Sequence, residues 1–220
     1  MKMETKALCV TIIIVLVVLF SVSCTREPNE ETVRMYIRAS NAYAMGQFSE
    51  VIQILQNENN FVPALILRAK AEYFSGELER AEQSCRRALR LRPTSFEANF
   101  YLARILRDRG DPLGAQTVVE SLLADNPQDI RTLRLAAELA FEAGRLDETT
   151  ILLDRAAEFS AESALVLLDR ARLRWIISAG EEMAVQAALD DLNRARAMLP
   201  WDTPLVRAIY NLERVIRGMM

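Results

Sequence analysis

Three glycines stand at a fixed step in this chain: Gly76, Gly110 and Gly144, each 34 residues from the next. The segments around them align without gaps, and small residues keep the same step. Ala69, Ala103, Ala137 and Ala171 form one series, Ala81 and Ala115 a second, Pro93 and Pro127 a third. A unit of this length cannot bury its apolar face alone, so it folds by stacking on its neighbours. Within the unit, apolar residues recur at helical spacing, as at Leu65, Ala69 and Tyr73. The glycines end a first helix, where a left-handed residue is needed. Asp111-Pro112 restarts a helix, with Asp as N-cap and Pro at the first position. Pro93 and Pro127 stop the second helix, because proline lacks the N–H that a continuing helix needs. Each unit is therefore two antiparallel helices that touch at small residues. A larger side chain at Ala69 or Ala81 would overpack that contact.

This pattern resembles the tetratricopeptide repeat (TPR), with its turn glycine, small alanines and closing proline in a 34-residue unit. The clearest copy spans 62–95, carrying Gly76-Glu77-Leu78-Glu79-Arg80-Ala81, Cys85, Ala88 and Pro93. The copy at 96–129 has Gly110, Ala115, Val119 and Pro127; the copy at 130–163 has Gly144, Leu153 and Ala156, with Thr149 in place of the small alanine. Two less regular copies flank these, at 32–61 around Gly46-Gln47-Phe48 and at 164–200 with Ala188, Leu192, Ala195 and Pro200. The last of them is lengthened around Ala179-Gly180-Glu181, and 201–220 supplies an amphipathic stretch that fits a capping helix. The resemblance implies an all-α, TPR-type α-solenoid of about five helix hairpins plus a C-terminal cap.

Composition narrows the function. There is no histidine, which removes the commonest general base and metal ligand and any Ser-His-Asp or Cys-His mechanism. Phosphate loops, zinc spacings and nucleophile elbows are missing from the sequence, so no enzyme activity, cofactor or metal is expected. A formal charge of −3 gives no bulk attraction to nucleic acid. Of the carboxylate pairs, Asp190-Asp191 point in different directions from a helix, and Glu181-Glu182 suit a helix start. Arg86, Arg87, Arg90 and Arg92 cluster on a second helix and are expected to face solvent, with an acidic surface or lipid headgroups as the alternative.

The N-terminus reads as an export signal. Lys2 and Lys6 precede an apolar run from Ala7 to Val22, followed by Ser23-Cys24 and the polar stretch 25–31. The pattern resembles a bacterial lipoprotein signal over 1–23, in which Cys24 is the lipidated position and 24–31 a linker. Ser21 departs from the leucine usual three residues before the cysteine. An uncleaved anchor helix and an ordinary cleaved signal remain the other readings. A lipid anchor would place the folded part in the cell envelope, on the periplasmic or outer side of a membrane. Cys85 is then a lone, small buried residue.

In the TPR family, ligand contacts come mainly from the first helix of each unit. Carried on to this chain, those positions are Tyr36, Ser40 and Tyr43; Lys70 and Tyr73; Phe100, Arg104 and Arg107; Arg131, Arg134, Glu138 and Phe141; Leu168, Arg172 and Trp175. Cations mixed with aromatics suit a protein or peptide bearing carboxylates. The competing reading is a solvated face of ordinary salt bridges, such as Arg134 with Glu138. The asparagine clamp by which some TPR proteins hold chaperone tails is not matched, since Ser40, Lys70 and Arg104 stand there. The resemblance implies a membrane-anchored scaffold in envelope assembly. A second reading is an accessory subunit of a periplasmic solute-uptake system, which a deep apolar cavity would favour.

Overall fold

The computed structural model describes residues 28–159, 163–178, 181–199 and 203–218. The expected signal and Cys24 lie outside the described residues, as do Ala179-Gly180 and Pro200. Among the described residues there are eleven helices and no strand. They are α1 (Glu30–Ala44), α2 (Phe48–Leu55), α3 (Val62–Phe74), α4 (Leu78–Leu91), α5 (Phe96–Asp108), α6 (Pro112–Asp125), α7 (Ile130–Glu142), α8 (Leu146–Phe159), α9 (Ala164–Ile177), α10 (Glu182–Ala197) and α11 (Pro204–Gly218). Each odd-numbered helix up to α9 pairs with the helix after it, and α11 packs on α9 and α10. No described helix is long and apolar enough to cross a membrane.

The turn inside each of the first four pairs is the same object. Gly46, Gly76, Gly110 and Gly144 have φ of +74°, +78°, +83° and +73°. At Gly76 the next amide, Glu77 N, reaches back to Glu72 O at 2.8 Å; Asp111 N to Leu106 O and Arg145 N to Ala140 O repeat the bond at 2.8 and 2.9 Å. This closes the helix end with orphan carbonyls satisfied. Asp111 accepts from Gly114 N at 2.9 Å, the N-cap expected before Pro112.

The small residues lie where helices touch. Ala69, Ala81, Ala103, Ala115 and Ala171 are fully buried. One core cluster runs from Ala69 of α3 through α4, α5 and α6 to Leu135 and Leu139 of α7, so no pair holds its core alone. Thr149 keeps an alanine position by turning its hydroxyl on its own helix, donating to Arg145 O at 2.9 Å. Cys85 is fully buried, and burial, with Glu72 and Glu82 nearby, pushes its thiol up to about 12. It is therefore a packing residue with no thiolate at neutral pH. At the N-terminus α1 starts at Glu30, inside the stretch read as linker. Asn29 accepts from Thr32 N at 2.7 Å, and two glutamates in the first turn favour the dipole.

Candidate partner-binding face

The first helices α1, α3, α5, α7 and α9 lie side by side and bring most of the residues expected from sequence on to one surface. Their side chains form three groups. In the first, Tyr73 donates to Asp108 Oδ2 at 2.5 Å, and the Arg104 guanidinium stands over the rings of Tyr73 and Tyr101 at 4.9 and 5.8 Å. Lys70 Nζ lies 4.9 Å from the Tyr101 centroid and 2.5 Å from Glu97 Oε1. Tyr43 packs against Phe48 and Phe74; burial, then the neighbouring Tyr101, pushes its hydroxyl up to about 12.

In the second group, Arg131 reaches back from α7 to Glu97 at 3.2 Å and covers Phe96 and Phe100 at 4.9 and 5.2 Å. Phe100 is 8% exposed, so it packs the face from beneath rather than standing on it. In the third, Arg107 pairs with Glu138 and with Asp108 at 2.9 Å, and Arg134 crosses to Asp169 of α9 at 2.6 Å. Tyr36 stands apart, edge-on to Phe61 at 5.5 Å, and Trp175 packs into the C-terminal core.

Four of the six expected cations, Lys70, Arg107, Arg131 and Arg134, are thus strapped to carboxylates of the neighbouring first helix. Among the described residues Arg104 and Arg172 make no ion pair. They are the two charges a partner can reach without breaking a bond of the fold. The sequence reading singled out the cations and passed over Glu97, Tyr101, Asp108 and Asp169, which hold them. A usable signal was present: opposite charges 34 and 35 residues apart, Glu97 with Arg131 and Arg134 with Asp169.

Between α7 and α9 the face opens. The backbones of those two first helices approach less closely than α3 and α5 or α5 and α7 do, although Arg134 and Asp169 bridge them. The pocket there, of about 130 Å³, is lined by Phe141, Leu153, Leu173 and Ile176 and by two cations and two carboxylates, Arg134, Arg172, Glu138 and Asp169. Phe141 is 41% exposed there. The volume of the pocket is that of a single apolar side chain.

Glu97 is the knot of the N-terminal half. Burial alone would raise its carboxyl, but the Lys70 hydrogen bond and the charges of Lys70 and Arg131 hold it below the usual range. A depressed folded value contributes stability above the unfolded pKa, and that stability is lost as pH falls through the folded value. Glu97→Gln is therefore expected to cost about 1 kcal/mol at pH 7, in line with a partly exposed pair. The two proteins should converge in acid. Urea melts at pH 7 and pH 3 check this; an equal gap at both would contradict it.

The fold is all-α and of the TPR type. Residues 75–139 match the family model described as tetratricopeptide repeat. MamA (41-end) of Desulfovibrio magneticus RS-1 superimposes with a TM-score of 0.66 at 17% identity, covering 78% of this chain and 99% of that one. A thermophilic TPR protein of Thermus thermophilus gives 0.69 at 15% identity, covering 82% and 97%. PilW, a type IV pilus biogenesis factor, gives 0.67 at 15% identity, covering 87% and 94%. At such identities the likeness is one of fold. No curated protein matches the sequence.

Proposed function

We propose that the chain is a lipid-anchored scaffold of the bacterial cell envelope, without catalytic activity, that holds a protein or peptide on its first-helix face. The observation that carries the reading is the pocket between α7 and α9. An exposed aromatic, Phe141, borders a mostly apolar hole there, with the guanidiniums of Arg134 and Arg172 beside the lining carboxylates Glu138 and Asp169. That combination suits an acidic segment with a bulky apolar residue, the apolar group supplying affinity and the charge orientation. Arg104, seated on Tyr73 and Tyr101, offers a second point for a carboxylate along the same face. The anchor rests on the residues around Cys24, and the place in the envelope follows from that anchor. Assembly is the use we infer; among proteins of this fold, PilW serves type IV pilus biogenesis. The solute-uptake reading looks for a deep apolar cavity; the pocket between α7 and α9, at about 130 Å³, has room for a side chain, and the larger cleft of about 460 Å³ by Tyr36, Ile66 and Phe96 also has the charged Lys70, Arg92 and Glu97 in its lining.

The test is capture of the partner by cross-linking in intact cells. Phe141→Ala combined with Arg172→Glu breaks no ion pair of the fold and is expected to reduce capture at least about tenfold, as for an interface hot spot. Helix content and melting temperature should stay as in the wild type. Undiminished capture would move the interface off this face.

A further inference from the structure

The two repeats that follow serve as controls for the one at 62–95, and one cleft there departs from their pattern; only at the next step, with Arg170 and Arg174 on Asp191, do charges return to the corresponding positions. The cleft lies on the second-helix side, between the end of α2, the outer side of α3, and α4. Its floor is a buried charged network. Glu72 is 2% exposed, accepts from Ser84 Oγ at 2.7 Å, and stands 3.7 Å from Arg68 Nε and 3.8 Å from Arg80 Nε. Arg68 also donates to Ser84 at 3.1 Å and, through Nη1, to the carbonyls of Leu55, Gln56 and Glu58 at 2.9, 3.1 and 3.1 Å. One repeat on, the positions of Arg68, Glu72 and Ser84 hold Leu102, Leu106 and Val118; two repeats on they hold Ala136, Ala140 and Leu152. The fold closes this contact with apolar side chains twice over. Apolar replacements of a buried ion network are commonly neutral or stabilising, so beyond the carbonyls that Arg68 caps the charges have no clear gain in stability over apolar residues.

Above this floor the wall of α4 carries Arg80, Arg86, Arg87 and Arg90. Arg80 is taken up by Glu77, and Arg86 by Glu82 at 2.6 Å. Arg87 donates Nε to Asn59 O at 2.8 Å, the bond that Arg155 makes to Pro127 O two repeats later. Neither Arg87 nor Arg90 meets a carboxylate among the described residues, although they stand three apart on one helix face. Like charges at that spacing work against the helix. At the position of Arg90 the next repeats have Ala124 and Glu158; at that of Arg86 they have Glu120 and Asp154. The basic wall belongs to this repeat alone among the three.

The cleft has a volume of about 420 Å³, with five arginines and a single carboxylate in its lining. A carboxylate ligand has two oxygens and one charge and would occupy one guanidinium fork. A phosphoryl group has at least three available oxygens, can carry more than one charge, and can engage several forks at once. The space exceeds a lone ion and admits a phosphorylated head of several atoms. We propose that this cleft, where Arg87 and Arg90 face the fixed Arg68–Glu72–Ser84 floor, binds a phosphoryl-bearing anion. The site is independent of the partner-binding face on the opposite helices.

The test uses the full chain in uncharged detergent, titrated calorimetrically with two probes. Inorganic pyrophosphate stands for a free phosphate compound, and glycerophosphoglycerol for a lipid headgroup; succinate is the control. Saturable binding of either phosphate probe, weakened about tenfold or more in Arg87→Gln/Arg90→Gln, is the expected result. The tighter probe names the source. Arg87→Lys/Arg90→Lys, which keeps charge and loses the fork, should bind less than the wild type and more than the Gln variant. Arg90→Gln alone breaks no bond of the fold and keeps the test open should the double variant misfold. The proposal is overturned if neither phosphate probe saturates, if succinate binds as well, or if the Gln variants bind like the wild type.

Discussion

Asp191→Ala is expected to be among the most damaging single substitutions on this chain, costing about 3–5 kcal/mol of stability, as breaking a buried ion pair does. The Asp191 carboxylate is 2% exposed between α9 and α10. It takes Arg170 through both oxygens, at 2.7 and 2.9 Å, and Arg174 at 2.8 Å. Asp154 of α8 stands 3.2 Å from Arg170 and 3.9 Å from Arg174, too little to compensate both guanidiniums once Asp191 is gone. α11 packs on this pair, so the loss should fall on α9 to α11 together. In a stacked array whose stability adds repeat by repeat, it should appear as an early step in a denaturant melt. Asp191→Asn keeps shape and one acceptor and should cost less. Circular dichroism during urea titration checks both, and a loss under about 1 kcal/mol in Asp191→Ala would contradict the account.

Arg68→Leu is expected to cost a similar amount, about 3–5 kcal/mol, because it leaves Glu72 buried with one guanidinium in place of two, Arg80 at 3.8 Å, and three carbonyls of the α2 end without their donor. The informative comparison is the triple change Arg68→Leu, Glu72→Leu, Ser84→Val, which installs the residue types of Leu102, Leu106 and Val118 one repeat early. The triple variant is expected to recover all but the capping bonds of Arg68, ending within about 1–2 kcal/mol of the wild type on either side. If the triple is less stable than the single, the network is required by the packing, and the argument that it serves something other than stability fails. Thermal melts of the three proteins at one pH decide this.

The architecture was readable because it depends on residues that act locally. A glycine with positive φ and a buried alanine announce themselves at their own positions, and the step of 34 then propagates the arrangement. α1 begins at Glu30, within the stretch 24–31 assigned to a linker, because the Asn29 cap sits among polar residues that also suit a linker. The candidate face was readable as a set of positions but not as a set of bonds. Whether Arg131 is free depends on Glu97, 34 residues away, and whether Arg134 is free depends on Asp169. Such partners become neighbours only when helices of adjacent units lie in register. Helix geometry points Asp190 and Asp191 in different directions without saying which is buried; Asp191 is the buried acceptor of two arginines, and Asp190 is exposed and takes a bond from Gln186. The pocket between α7 and α9 had no local signal, since it arises from a gap between helices rather than from any residue.

The central claim, that a partner lies along the first helices, is best tested by placing a photo-activated cross-linking residue at single positions of the full chain in its own cells. Positions 141 and 172 sit on the face, and positions 113 and 151 are exposed on the second helices α6 and α8. The account predicts one common adduct from 141 and 172 and none of that mass from 113 or 151. Adducts of the same mass from the second-helix positions, with none from 141 and 172, would contradict it.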